Sequence, residues 1–179
     1  MNDSDDAALV KNCLQGDIKA FESLVDKYQK PIFNAALRVC NDFDSAEDIS
    51  QAAFVKAYEK LESYNPKYRF FSWLYRIVIN EALNFLHQGK NLLELDENII
   101  SKQKTPDQVL EQTEISEKVR NALMQIEPNY RFMIELRHFQ NCSYSEIGYI
   151  MNIPEKKVKS RLYMARQVLG KILIKAGIK

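Results

Sequence analysis

Ser143–Gly170 reads SYSEIGYIMNIPEKKVKSRLYMARQVLG, and its punctuation divides it into a short helix, a tight turn and a longer basic helix. Ser143 stands three residues before Glu146, the spacing of a capping box: the hydroxyl accepts one free helix N–H and the carboxylate accepts another. Ile147, Ile150 and Met151 give the short helix one apolar face. Asn152-Ile153-Pro154 stops it, because proline lacks an N–H and pushes the preceding residue out of helical geometry. Pro154 also suits the opening of the next helix. There Val158, Leu162, Ala165 and Leu169 recur at spacings of four, three and four, a buried stripe. The other face carries Lys156, Lys157, Lys159, Ser160, Arg161, Tyr163, Arg166 and Gln167. This is the pattern of a helix-turn-helix whose second helix enters a DNA major groove. A solvated basic helix packed on a hairpin partner is the alternative. Gly148 inside the short helix costs about 1 kcal/mol relative to alanine, a cost that close approach of two helices explains; mere tolerance of the glycine is the rival account.

With 179 residues there is room for one ordinary domain or two small ones. Only five glycines and five prolines interrupt it, which favours helices over a many-turned β architecture. No apolar run approaches the roughly 18 residues of a membrane span. The start, MNDSDDAALV, is acidic and lacks the basic opening and apolar centre of a signal peptide, so a cytoplasmic protein is expected. Cys13, Cys40 and Cys142 lie far apart without a CxxC, and His87 and His138 are the only histidines, so no metal or other cofactor is expected. The cysteines read as reduced, half-buried apolar residues. Charge is uneven. Residues 1–111 carry 13 Lys+Arg against 18 Asp+Glu, net −5, and residues 112–179 carry 12 against 6, net +6. A polyanion partner for the basic part and a different partner for the acidic part follow.

Taken in order, residues 5–14 form a short helix closed by Gly16, and Asp17 caps the next. Pro31 either kinks that helix or begins another. Asn41-Asp42-Phe43 is a turn, and Asp44 with Glu47 starts a helix to about Leu61. SYNPKY (63–68) is a loop, a helix runs from about Phe70 to His87, and Gly89 ends it. Residues 90–105 are polar and aperiodic, a linker. Thr105-Pro106 then opens a helix to about Ile126, and Pro128 opens another through Phe139. The expected fold is all-α: an N-terminal helical domain at 1–89, a flexible linker at 90–105, and a helix-turn-helix domain at 106–179.

Two helices of the first part carry distinctive outward stripes. From Ser45 to Leu61, Ala46, Ile49, Ala53, Phe54, Ala57, Tyr58 and Leu61 fill the buried half of the wheel, while Asp48, Gln51 and Val55 point away. That stripe reads as a solvated face, with Val55 a hint of an interface. From Phe70 to His87, Phe71, Leu74, Tyr75, Val78, Ala82, Phe85 and Leu86 face the core. Trp73, Arg76, Asn80, Asn84 and His87 lie opposite. Arg and Asn make bidentate contacts to bases, and Tyr64 and Tyr68 in the preceding loop suit stacking on unpaired bases. The same residues also fit a solvated stripe with Trp73 in the core.

DSAEDISQAAFVKAYEKL (44–61) with FFSWLYRIVINEALNFL (70–86) resembles the first domain of bacterial extracytoplasmic-function sigma factors. IEPNYRFMIELRHFQNCSYSEIGYIMNIPEKKVKSRLYMAR (126–166) resembles their last domain. The resemblance implies a dissociable RNA polymerase subunit that selects promoters and makes no bonds itself. It assigns Asp48, Gln51 and Val55 to the polymerase clamp. Tyr64, Tyr68, Trp73, Arg76, Asn80 and Asn84 fall to the minus-ten element. Ser143, Lys156, Lys157, Lys159, Ser160, Arg161, Tyr163 and Arg166 fall to the minus-thirty-five element. It also implies an anti-sigma partner, and no small-molecule substrate. Two departures stand out. Asn84 replaces a frequent aspartate and is followed by His87-Gln88-Gly89-Lys90 rather than a basic cluster, so backbone neutralisation there is expected to be weaker. Glu155-Lys156-Lys157 precede Val158-Lys159-Ser160-Arg161, and the extra lysines add salt-dependent affinity. A stand-alone DNA-binding regulator is the rival. An enzyme lacks support, because Asp5/Asp6, Asp42/Asp44 and Glu47/Asp48 read as helix-start charges.

Overall fold

Each helix boundary has a local cause. The chain was analysed as a computed structural model, which describes residues 3–93 and 114–178, with side chains from 5 to 86 and from 117 to 178. Its helices are α1 (Asp3–Leu14), α2 (Ile18–Cys40), α3 (Phe43–Glu59), α4 (Phe70–Leu93), α5 (Glu114–Met124), α6 (Pro128–His138), α7 (Tyr144–Met151) and α8 (Glu155–Lys175). A 3₁₀ turn, Leu61–Ser63, follows α3, and no strand occurs among the described residues. Asp17 caps α2 as expected, accepting the Lys19 N–H at 3.0 Å. Pro31 neither begins a new helix nor ends the old one; α2 continues through it, carrying buried Tyr28, Ile32, Ala35 and Ala36 on either side. Burial of that stripe outweighs the missing hydrogen bond. Asn41, in the left-handed region at φ 56°, closes α2.

Two boundaries and one charge differ from the sequence expectation. Asp42 rather than Asp44 caps α3, accepting the Ser45 N–H at 2.9 Å. The helix α4 runs past Gly89 to Leu93, so the first residues assigned to the linker are helical. Asp6 is not a solvated helix-start charge. It is fully buried and accepts from Lys27 and the Tyr28 hydroxyl, tying α1 to α2. The expected helix start at Thr105-Pro106 and most of the 90–105 linker lie outside the described residues.

The two helical halves share a core. Leu24, Tyr28 and Ile32 of α2 and Leu74, Tyr75 and Val78 of α4 join one apolar cluster with Phe132 and Leu136 of α6, Ile147 and Ile150 of α7, and Leu162 of α8. Full burial of each such side chain contributes about 1.5–3 kcal/mol. A smaller cluster, Ile126, Ile134 and Ala165 with Leu169 and Ile172, ties α8 to α5 and α6. Across the halves α4 packs on α7, and α2 on α6 and α5. Arg38 of α2 makes a bidentate pair with Glu135 of α6, Nε to Oε2 at 2.7 Å and Nη2 to Oε1 at 2.9 Å. Arg131 donates to the Val39 carbonyl. Burial pushes the Cys40 and Cys142 thiols up to about 11 and about 12, which leaves both as packing groups. No described helix is long and apolar enough to cross a membrane.

Candidate nucleic-acid interface

The helix-turn-helix forms as its punctuation dictates. Glu146 N–H donates to Ser143 Oγ at 3.2 Å, and Ser143 N–H donates to Glu146 Oε2 at 2.8 Å, completing the capping box. Asn152, at φ 53°, ends α7, and the Ile153 N–H closes the turn on the Gly148 carbonyl at 2.9 Å. Gly148 is required by this turn. A Cβ there would lie 2.9 Å from the Ile153 carbonyl oxygen and 3.5 Å from the Glu155 Cα. Val158, Leu162 and Ala165 are buried, which turns Lys156, Lys157, Lys159, Ser160, Arg161, Tyr163 and Arg166 outward, all exposed. Among the described residues no carboxylate pairs with Lys156, Lys157, Lys159 or Arg161. Arg166 is drawn aside, its Nε 3.3 Å from His138 Nε2. Burial first, then Arg166 and Arg137, hold the His138 imidazolium below its usual range. Ser143 is exposed, but its side chain is occupied by the cap.

The outward stripe of α3 is where the helical wheel places it. Asp48, Gln51 and Val55 are exposed, Val55 at 59%, and Gln51 Nε2 donates to Glu47 Oε1 at 3.2 Å. Tyr58, expected in the core, is half exposed and meets Phe21 edge-on with centroids 5.0 Å apart. Phe85 of α4 is likewise exposed rather than buried. Both lie at the margin of a broad apolar face, where the neighbouring helix decides what is covered.

The predicted stripe of α4 divides. Asn80 and Asn84 are exposed, and Arg76 is half-buried. Trp73 is not on the outward stripe: it is 6% exposed and packs against Tyr64 and Phe70. The loop before α4 folds back over the indole, fixed by the Tyr64 hydroxyl donating to the Tyr68 carbonyl at 2.8 Å. Tyr68 stacks on Tyr149 of α7, with centroids 3.7 Å apart and planes 12° apart. The Arg76 guanidinium lies 5.5 Å from the Tyr149 ring centre. Arg69 Nη1 donates to Glu146 Oε1 at 3.3 Å. Arg69, Glu146 and Tyr149 therefore border this face from both halves, and sequence reasoning assigned none of them to it. Arg69 and Glu146 stand 77 residues apart, and no local period marks such a contact.

Glu146 thus serves both the α7 cap and the contact between halves. Burial raises its carboxyl, but the Ser143 N–H and hydroxyl and the Arg69 guanidinium outweigh that and hold it below its usual range. A depressed carboxyl stabilises the fold fully above its unfolded value, and the contribution is lost as pH falls through the lower folded value. The gap in urea midpoint between the native chain and Glu146→Gln should therefore narrow from about pH 6 to about pH 3. A constant gap would remove the charge from the account.

Comparison with known proteins agrees with this architecture. Residues 24–91 match Sigma-70 region 2 and residues 116–169 match Sigma-70, region 4. The RNA polymerase sigma-H factor of Pseudomonas aeruginosa is 32% identical, over 94% of this chain and 93% of that one. The ECF RNA polymerase sigma factor SigW of Bacillus subtilis is 30% identical, over 92% and 94%. In fold, the sigma factor RpoE of Bartonella quintana, solved with the anti-sigma factor NepR, superposes with a TM-score of 0.70 at 21% identity, over 87% of this chain and 97% of that one. Alignment at this identity along nearly the whole chain makes the protein a member of the extracytoplasmic-function sigma factors, which bring RNA polymerase to specific promoters to initiate transcription.

Proposed function

We propose that three faces divide the work of initiation. Asp48, Gln51 and Val55 on α3 bind the polymerase clamp. Tyr64, Tyr68, Arg76, Asn80 and Asn84 engage the minus-ten element, with Trp73 acting from the core as the support under Tyr64. Lys156, Lys157, Lys159, Ser160, Arg161, Tyr163 and Arg166 read or neutralise the minus-thirty-five element, and Ser143 holds α7 in position for them. On this reading residues 1–93 and 106–179 act as two domains joined by a linker that begins where α4 ends, after Leu93. The protein works in the cytoplasm and makes no bonds itself. An anti-sigma partner is proposed by analogy with the NepR complex of the similar RpoE. The observation that carries the proposal is the basic face of α8, exposed along its length and, among the described residues, without carboxylate partners while its apolar stripe is buried. Such a face is an electrostatic footprint for nucleic acid.

Capture of core RNA polymerase by the tagged chain tests it. The native chain should retain the core enzyme, and Asp48→Arg with Gln51→Arg should weaken capture at least about tenfold, about 1.4 kcal/mol. Unchanged capture by that variant would move the polymerase contact off α3. Specific duplex binding with no core captured by the native chain would favour the stand-alone regulator.

A further inference from the structure

His138 closes α6, and the core places it beside the basic face of α8. Ile134 stands four residues earlier on α6 and packs with Ala165 in the smaller apolar cluster. Positions four apart share a helix face. That packing therefore sets His138 next to Arg166, the residue after Ala165, and the Arg166 Nε lies 3.3 Å from the imidazole Nε2. Both side chains are exposed. A guanidinium only donates, so Nε2 is the acceptor and the imidazole is neutral, its proton on Nδ1. The Nε–H of Arg166 is thereby committed. Its Nη1–Nη2 edge, which no hydrogen bond among the described residues takes up, matches two oxygens of one phosphate. The neighbouring cation, Arg137, is engaged elsewhere: Nη1 donates to the Cys142 carbonyl at 2.8 Å, and the guanidinium lies 5.1 Å from the Tyr144 ring centre.

We propose that His138 is a positioning residue of the minus-thirty-five interface, its neutral imidazole holding the Arg166 guanidinium so that the Nη1–Nη2 edge meets a backbone phosphate of the duplex. The inference rests on the minus-thirty-five reading of Arg166. An arginine held in this way loses less side-chain freedom when DNA arrives, so its phosphate contact is stronger than that of an unheld one. The support depends on protonation. Burial first, then Arg166 of α8 and Arg137 of its own helix, disfavour the imidazolium, and among the described residues no carboxylate acts on the ring. The acceptor is therefore present above the lowered imidazole value. It is lost as pH falls through that value, where Nε2 becomes a donor facing another donor.

Binding of the full chain to a DNA duplex of randomised sequence, followed by fluorescence anisotropy across salt and pH, tests this. At about pH 8 Arg166→Ala should weaken binding and reduce the salt slope by about one. His138→Ala should weaken it about fivefold, and the double variant should bind no more weakly than Arg166→Ala alone, because the histidine acts only through the arginine. His138→Gln, whose amide oxygen accepts in place of Nε2, should bind like the native chain. From about pH 8 to about pH 5 the native chain should lose its advantage over His138→Ala, while His138→Gln keeps it. Native-like binding by His138→Ala, or single losses that add in the double variant, overturns the positioning role. So does tighter binding by the native chain than by His138→Gln at about pH 5, the mark of an imidazolium that meets phosphate itself. If Arg166→Ala keeps the native affinity and salt slope, the minus-thirty-five reading of Arg166 falls instead, and the inference with it.

Discussion

Replacing Gly148 with valine should destabilise the protein by about 3 kcal/mol, lowering its thermal midpoint by about 6–12 °C for a chain of this size. The reason lies in the turn rather than in the helix. A single Cβ would already come within 2.9 Å of the Ile153 carbonyl oxygen and 3.5 Å of the Glu155 Cα. Both are backbone atoms, held by the Ile153 N–H bond to Gly148 and by the start of α8, so no rotamer change relieves the clash. Valine adds two methyl groups to that contact. Alanine gives the contrast that separates clash from propensity. It gains about 1 kcal/mol of helix propensity over glycine, so its net cost should be clearly smaller than that of valine. Thermal unfolding of the two variants measures this, and a valine variant as stable as the native chain would show that the turn can widen. Because α7 also carries Glu146 and Tyr149, the valine variant should loosen the contact between the halves.

Arg38→Ala should cost about 3 kcal/mol, the lower end of the range for breaking a buried pair. The Glu135 side chain is only 3% exposed, whereas that of Arg38 is 35% exposed, so water already reaches one side of the pair and moderates the penalty. Deleting the guanidinium leaves a buried carboxylate with Gln140 Nε2, at 3.0 Å, as its remaining donor among the described residues. It also removes the cation lying 4.7 Å from the Phe139 ring centre. The penalty belongs to the docked arrangement, since Glu135 is hydrated once α6 leaves α2. Calorimetry should therefore show one unfolding transition in the native chain and two in Arg38→Ala. Replacing both partners with apolar side chains, Arg38→Met with Glu135→Leu, should recover most of the loss, because well-packed apolar groups often match a buried ion pair. If the double variant is no more stable than Arg38→Ala, the loss was packing rather than an orphaned charge.

The features legible in the sequence are those whose causes lie within a turn or two of the chain. The Ser143–Glu146 box, the Asp17 cap, the stop before Pro154 and the apolar period of α8 each depend on residues a few positions apart. Each is present as read. The same locality explains why the exposed faces of α3 and α8 could be assigned from a wheel. A period of 3.6 fixes which side chains share a face, and the densest apolar face is the one buried. Errors concentrate where that rule is ambiguous. Trp73, Tyr58 and Phe85 sit at the edges of wide apolar faces, and their burial depends on whether a neighbour covers them. The loop at Tyr64 covers Trp73; solvent meets much of Tyr58 and Phe85. Asp6 shows the converse, a carboxylate that looks like a helix-start charge until α2 brings Lys27 and Tyr28 to it.

By itself, then, the sequence determined an all-helical chain with a DNA-type helix-turn-helix near its C-terminal end and an acidic helical part before it, because capping, proline stops and periodicity are local physics. Only the tertiary structure decided that the two halves dock. Arg38 with Glu135, Arg69 with Glu146 and Tyr68 with Tyr149 join residues that chain connectivity leaves independent. Such contacts exist through the complementary surfaces of folded helices, and surface complementarity at a separation of 77 or 97 residues leaves no period in the sequence to read.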